Sequence, residues 1–200
     1  MSKNRIEAFS DGVLAIIITI MVLELKVPDH AAQLSDLRPL LPVFLSYILS
    51  FAYVGIYWNN HHHLFHAMET TSGGIMWANL HLLFWLSLVP FVTGWMGEND
   101  FAPAPTALYG CVLLLAAMAY WTLQGAILRR HGSDSLLARA VGKDIKGKIS
   151  PAIYLAGILC SFLSPWLAGA AYVLVALMWL VPDRRIEHAV ARTGLPGSRG

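Results

Sequence analysis

Charge is what this sequence has least of. Only 13% of its 200 residues are Asp, Glu, Lys or Arg, against about a quarter in soluble domains. With 56% hydrophobic residues, the chain cannot cover itself with a polar surface, which excludes an ordinary soluble domain and indicates a polytopic membrane protein. Cysteine is also scarce. Cys111 and Cys160 are the only two, and both sit inside apolar runs, a poor setting for a disulfide framework or a metal site. Both read as small hydrophobes. There is no Gly-x-Ser-x-Gly, no His-Glu-x-x-His and no phosphate-binding glycine loop, so the common hydrolase, zinc-peptidase and nucleotide-binding signatures are missing. No long internal repeat is visible, and no cofactor or nucleic-acid partner is expected.

What the chain does have is apolar runs, and residues 5–27 organise the rest. Charge opens this stretch at Arg5, Glu7 and Asp11, none follows from Gly12 to Leu23, and Glu24 and Lys26 close it. Its length matches the ~20 residues that cross a bilayer core. A basic start before an apolar run is also how a secretion signal begins. Glu7 and Asp11 sit badly in such a signal and no Ala-x-Ala site follows, so the span reads as retained.

The expected fold is all-α, a polytopic membrane protein with six transmembrane helices: residues 6–25, 41–58, 75–95 and 105–128, then two from the shared run 149–181. Pro28 ends the first span, and Pro90 should kink the third by removing a backbone donor. The linker at 29–42 has room for short interfacial helices capped by Ser35 or Asp36. Ser164-Pro165-Trp166 divides the last run into a tight hairpin whose arms are short for full spans. Residues 1–185 form the six-helix domain in this reading, and 186–200 a polar cytoplasmic tail. Of the 14 Lys and Arg residues, only Lys26 and Arg38 fall on the side facing away from the termini. The positive-inside rule then puts both termini in the cytoplasm of a multi-pass cell-membrane protein.

Asp11 is the residue that most needs an explanation, because a carboxylate within or at the edge of a span is costly without a partner. Arg5 is six positions away, on another face of the helix, so the partner should come from another helix. The polar end of the second span, with Asn60 and His61, lies at a similar depth. A static brace is the cheaper explanation, and a proton carrier is the competing one. His61, His62, His63 and His66 form a cluster in which His62 and His66 have i, i+4 spacing. No Cys or closely spaced carboxylate completes a metal set, so no metal is assigned.

Arg5-x-x-x-Phe9-Ser10-Asp11 ahead of an Ile-rich span resembles the signature of the bacterial branch of the transmembrane-protein-175 family of potassium channels. Trp58-x-Asn60-His61-His62 closes the second span, and Asn79-Leu80 with Ser87-Leu88-x-Pro90-Phe91-x-Thr93 fills the third, in matching fashion. The specific motifs cover the first half of the chain; the second half agrees in hydropathy alone. The resemblance implies a homotetramer in the bilayer that conducts potassium ions through a pore lined by the first helix of each subunit. It implies a constriction of aliphatic rings at Ile16, Ile20 and Leu23, with Thr19 as a hydroxyl that tunes selectivity. Arg5, Phe9, Ser10, Asp11, Trp58, Asn60 and His61 would form the signature and its bracing network. Glu24 would stand at the outer mouth, or be only an interfacial charge. The glycine of residues 53–57 lacks a threonine partner and lies in a continuous apolar helix, so it is not read as a carbonyl filter. Two alternatives from other classes stay open: a proton-coupled transporter using Asp11 and His61 as a relay, and an intramembrane enzyme using the histidines.

Overall fold

The computed structural model describes residues 3–28, 32–68, 70–131 and 145–180, and every regular element among them is a helix. The helices are α1 (Lys3–Leu23), α2 (Leu41–His66), α3 (Gly73–Ser87), α4 (Val89–Glu98), α5 (Pro103–His131), α6 (Ile145–Cys160) and α7 (Pro165–Leu180). A short 3-10 turn, Leu34–Leu40, leads into α2, and the Asp36 carboxylate tethers its start by accepting from the Gln33 N–H at 3.0 Å. Local chemistry marks the ends. The Ser72 hydroxyl accepts from the Ile75 N–H at 3.3 Å and caps α3. Prolines lie in the first turns of α2 and α4 and open α5 and α7, where a missing N–H costs nothing. Arg129, Arg130 and His131 fill the last turn of α5, the charge a helix C-terminus favours.

The expectation of six membrane-spanning helices is not met. Four segments among the described residues are long and apolar enough to cross: Lys3–Leu23, Leu34–His66, Gly73–Glu98 and Pro103–His131. The third is one crossing built from two helices, α3 and α4, which break at Leu88 just before Pro90. The shortfall lies in the C-terminal run. Cut at Ser164-Pro165, it yields α6 and α7 of 16 residues each. At 1.5 Å per residue that is about 24 Å, below the ~30 Å of the hydrocarbon core. The polar tail assigned to 186–200 lies outside the described residues, as do Arg139, Lys143, Arg184, Arg185, Arg192 and Arg199 of the charge partition.

A tyrosine cluster holds the bundle together where α2, α5, α6 and α7 meet. Ring centroids of Tyr53 and Tyr154 are 6.2 Å apart, and those of Tyr109 and Tyr172 are 5.7 Å apart. The hydroxyls of Tyr53, Tyr109 and Tyr172 are all used. Tyr53 donates to the Tyr172 carbonyl at 2.6 Å, and Tyr172 donates to the Thr106 carbonyl at 3.1 Å. The Thr93 hydroxyl gives its one proton to the Val89 carbonyl at 2.6 Å. Ser50 must then donate to Thr93, and Tyr109 to Ser50, at 2.6 and 3.0 Å. This one-way chain ties α2, α4 and α5 through otherwise costly buried hydroxyls.

Tyr172 fits because glycine faces it. A Cβ on Gly157 would come 2.6 Å from Tyr172 Cε1, whereas a Cβ on Gly169 would meet nothing within 4 Å. Gly157→Ala should therefore lower stability by about 1–3 kcal/mol through overpacking, read as a lower unfolding temperature in detergent. Gly169→Ala should leave that temperature unchanged or slightly raised. Equal behaviour of the two variants would contradict this packing.

Candidate functional site

The site is built on α1, a helix apolar on almost every side. Its two faces differ in burial. Ile6, Ser10, Leu14, Ile17 and Met21 are buried in the bundle, the i, i+4, i+8, i+11, i+15 spacing of one helical stripe. Phe9, Ile16, Ile20 and Leu23 point the other way and are 54, 59, 42 and 75% exposed. Thr19 and Glu24 are exposed too. The Thr19 hydroxyl donates to the Ala15 carbonyl at 2.9 Å, which leaves its oxygen lone pairs free on the open side.

A buried polar chain fixes this rotation. The Ser10 hydroxyl donates to the Ile6 carbonyl at 2.9 Å, and the Asn79 amide N–H donates to Ser10 Oγ at 2.9 Å. Asn79 Oδ1 must then accept from His61 Nε2, 2.8 Å away, which puts the imidazole proton on Nε2. Ser10, Asn79 and His61 are each at most 1% exposed. The His61 ring also stacks on Phe65, with centroids 4.2 Å apart. Among the described residues, His61 Nδ1 is buried without a partner.

A second set of contacts runs along the outside of the antiparallel α1 and α2. Lys3 Nζ donates to the His66 carbonyl at 3.2 Å and to the Met68 carbonyl at 3.0 Å, a cation on a helix C-terminus. Glu7 Oε1 lies 3.1 Å from His62 Nδ1. Asp11 Oδ1 accepts from the Trp58 indole N–H at 3.2 Å. One strand of this ladder steps up by four as the other steps down by four, one helical turn per rung.

These contacts correct the expected partner of Asp11. It is Trp58, not Asn60 or His61. His61 bonds to Asn79 on α3, and Asn60 takes part through its backbone carbonyl, which accepts from the Tyr120 hydroxyl at 3.3 Å. The structure thus brings Ser10, Asp11, Trp58 and His61 to one region, while Phe9 and Arg5 face outward. Glu7 and Lys3 were missed as rungs. Their signal was available in the matched i, i+4, i+8 spacing of Lys3, Glu7 and Asp11 against Trp58, His62 and His66. Among the described residues no group of three His, Cys, Asp or Glu is placed to hold a metal ion.

A multi-pass helical bundle whose first helix is braced by a buried polar chain defines a membrane-embedded protein of the channel and transporter kind. The family described as "Endosomal/lysosomal potassium channel TMEM175" matches residues 5–90. A potassium channel of Chryseobacterium sp. (strain P1-3) is 56% identical over 190 residues, covering 95% of this chain and 98% of its own. The crystal structure of a lysosomal potassium-selective channel TMEM175 homolog from Chamaesiphon minutus superposes with a TM-score of 0.79 at 32% identity, covering 90% of this chain and 97% of that one. The human endosomal/lysosomal proton channel TMEM175 is 38% identical over 96 residues, 42% of this chain and 19% of the human protein. The chain belongs to the TMEM175 potassium channel family. Its relatives are channels, and its class is potassium-channel-like rather than enzymatic.

Asn79→Leu should remove the middle of the buried chain and leave the His61 N–H without an acceptor. The expected cost is about 1–3 kcal/mol, the penalty for an unpaired buried polar group, seen as a lower unfolding temperature in detergent. Asp11→Asn keeps an oxygen for Trp58 on a part-exposed rung and should change stability by no more than about 0.5 kcal/mol. If Asp11→Asn proved the more damaging of the two, the ladder and not the buried chain would hold α1.

Proposed function

We propose that the protein conducts potassium passively through a homotetrameric pore lined by α1, with the narrowest part formed by Ile16, Ile20 and Leu23. The observation that carries this reading is the outward stripe of α1. A helix anchored on one face by Ser10 leaves its aliphatic side chains uncovered on the opposite face. Four such helices around an axis would cover that face. Rings of isoleucine and leucine offer an ion no ligands, so a hydrated ion passes only when the ring is wet, and dewetting closes it. Ile16 is the gate in this reading. Thr19, whose lone pairs are free, is the one hydroxyl of the stripe that can hold the water around a cation, and it supplies a modest preference for potassium. Glu24 gathers cations at the outer mouth.

Orientation follows from charge at the two ends of the bundle. Lys3, Arg5, Arg129, Arg130, Lys146 and Lys148 lie toward one end; Glu24, Lys26, Asp36, Arg38, Glu98 and Asp100 lie toward the other. The basic end is cytoplasmic by the positive-inside rule, and it carries the N-terminus. The tail beyond the bundle is cytoplasmic in the same reading. The relay of Asp11 and His61 is disfavoured because the two side chains bond to different partners, Trp58 and Asn79.

Ile16 and Ile17 give the test. Ile16 is 59% exposed and Ile17 is 3% exposed. Ile16→Asn should raise potassium flux into liposomes severalfold, by wetting the ring, and sodium flux should rise with it. Ile17→Asn should instead cost stability, by about 1–3 kcal/mol for a polar group buried without a partner. Unchanged flux in a correctly assembled Ile16→Asn protein would take Ile16 off the ion path. The mass of the complex in mild detergent should correspond to four subunits, and a conducting monomer or dimer would overturn the tetramer. Potassium flux that required a second solute or a proton gradient would favour the transporter.

A further inference from the structure

One face of α5 turns away from the bundle and ends in an arginine aimed into the membrane. Leu114, Met118, Trp121, Gly125 and Arg129 follow the i, i+4, i+7, i+11, i+15 spacing of a single helical stripe. Met118 and Trp121 are 50 and 66% exposed, and Arg129 is exposed at the end of the same crossing. Side chains on a helix lean toward its N-terminus, and for the last turn of α5 that direction is into the crossing. The Arg129 guanidinium follows it. Its Nη1 lies 3.9 Å from the place where a Cβ on Gly125 would stand. It therefore points one turn back and away from the last carbonyls of α5, of which the Ile127 carbonyl accepts from the His131 ring at 2.9 Å. Among the described residues no carboxylate pairs with Arg129. Those described at this end, Glu7 and Asp11, face His62 and Trp58 between α1 and α2.

A cation drawn toward hydrocarbon is costly unless an anion meets it. The bilayer supplies one at this depth, the phosphate of a lipid headgroup, and guanidinium pairs with phosphate through parallel N–H donors. Gly125 has no side chain to hold a headgroup off. Trp121 and Met118, one and two turns further in, give the acyl chain an apolar track. Arg130 and Lys148 are exposed at the same end of the bundle and add positive potential, which favours a net anionic headgroup over a zwitterionic one. α1 packs mainly on α2, α3 and α4, so subunit contacts built around α1 would leave this stripe of α5 to lipid. We propose that α5 of each subunit holds one anionic phospholipid of the cytoplasmic leaflet, its phosphate on Arg129 and its acyl chain along Trp121 and Met118. The choice of leaflet rests on the orientation proposed above; the pairing with phosphate does not.

The probes are phosphatidylglycerol and phosphatidylcholine with identical acyl chains brominated in their upper half, because bromine quenches only a nearby indole. The assembled protein is reconstituted with mixtures of either probe and its unbrominated form. The Trp121 signal is the difference in fluorescence between wild type and Trp121→Phe. Phosphatidylglycerol should occupy the site about fivefold more readily than phosphatidylcholine. Arg129→Gln should bring that ratio to about one, whereas Arg130→Gln, one position round the helix, should keep most of the preference. Variants are compared at wild-type assembly size, and Arg129→Met, which keeps the bulk of the stem, replaces Arg129→Gln if the latter does not assemble. Equal quenching by the two lipids in wild type would overturn the proposal. So would a Trp121 signal that neither lipid quenches, which would put the stripe against protein. An unchanged ratio in Arg129→Gln would take the phosphate off Arg129. Equal losses in Arg129→Gln and Arg130→Gln would mean a diffuse surface potential and would overturn the site.

Discussion

The rotation of α1 is the constraint on which the rest depends. An α-helix turns by about 100° per residue, so a shift of one position would exchange Ile16 for Ile17 on the open face. Van der Waals packing alone cannot prevent this on a helix that is apolar nearly all round, because one aliphatic stripe packs about as well as another. The chain from His61 through Asn79 and Ser10 to the Ile6 carbonyl can. It has one arrangement in which each buried donor meets an acceptor, and any other rotation strands polar groups where no water compensates. The outer rungs of Lys3, Glu7 and Asp11 act in a different coordinate. They set how far α1 slides along α2.

Much of the architecture was legible in the sequence, because span existence depends on run length and composition. The first and fourth long segments fall within a few residues of their expected cores, the second runs eight residues past its expected end at Trp58, and Pro90 sits at the start of α4, next to the break in the third. The count was not legible. The run at 149–181 contains enough apolar residues for two arms, but hydropathy does not penalise an arm for being 16 residues long; only the rise per residue against the bilayer thickness does.

The site was legible in its parts and not in its pairings. Ser10 and His61 were marked as network members, but Asn79, which joins them, is needed to see why. Asp11 was matched to the wrong side chain on α2 because depth in the membrane fixes a partner only to within a turn. Register fixes it to a residue, and register was written in the four-residue spacing on both helices. The open face of α1 could not be read at all from periodicity. Burial distinguishes Ile16 from Ile17, whereas the sequence sees two adjacent isoleucines.

The break at Leu88 divides a single crossing between two owners. The half before it, α3, packs mainly on α5, and the half after it, α4, packs mainly on α2 and is tied there by Thr93 to Ser50. Both halves also touch α1. A tilt of α5 relative to α2 therefore cannot be absorbed by sliding one rigid rod. The joint at Leu88 lies between the half that grips α1 through Asn79 and the half that touches α1 nearer its other end.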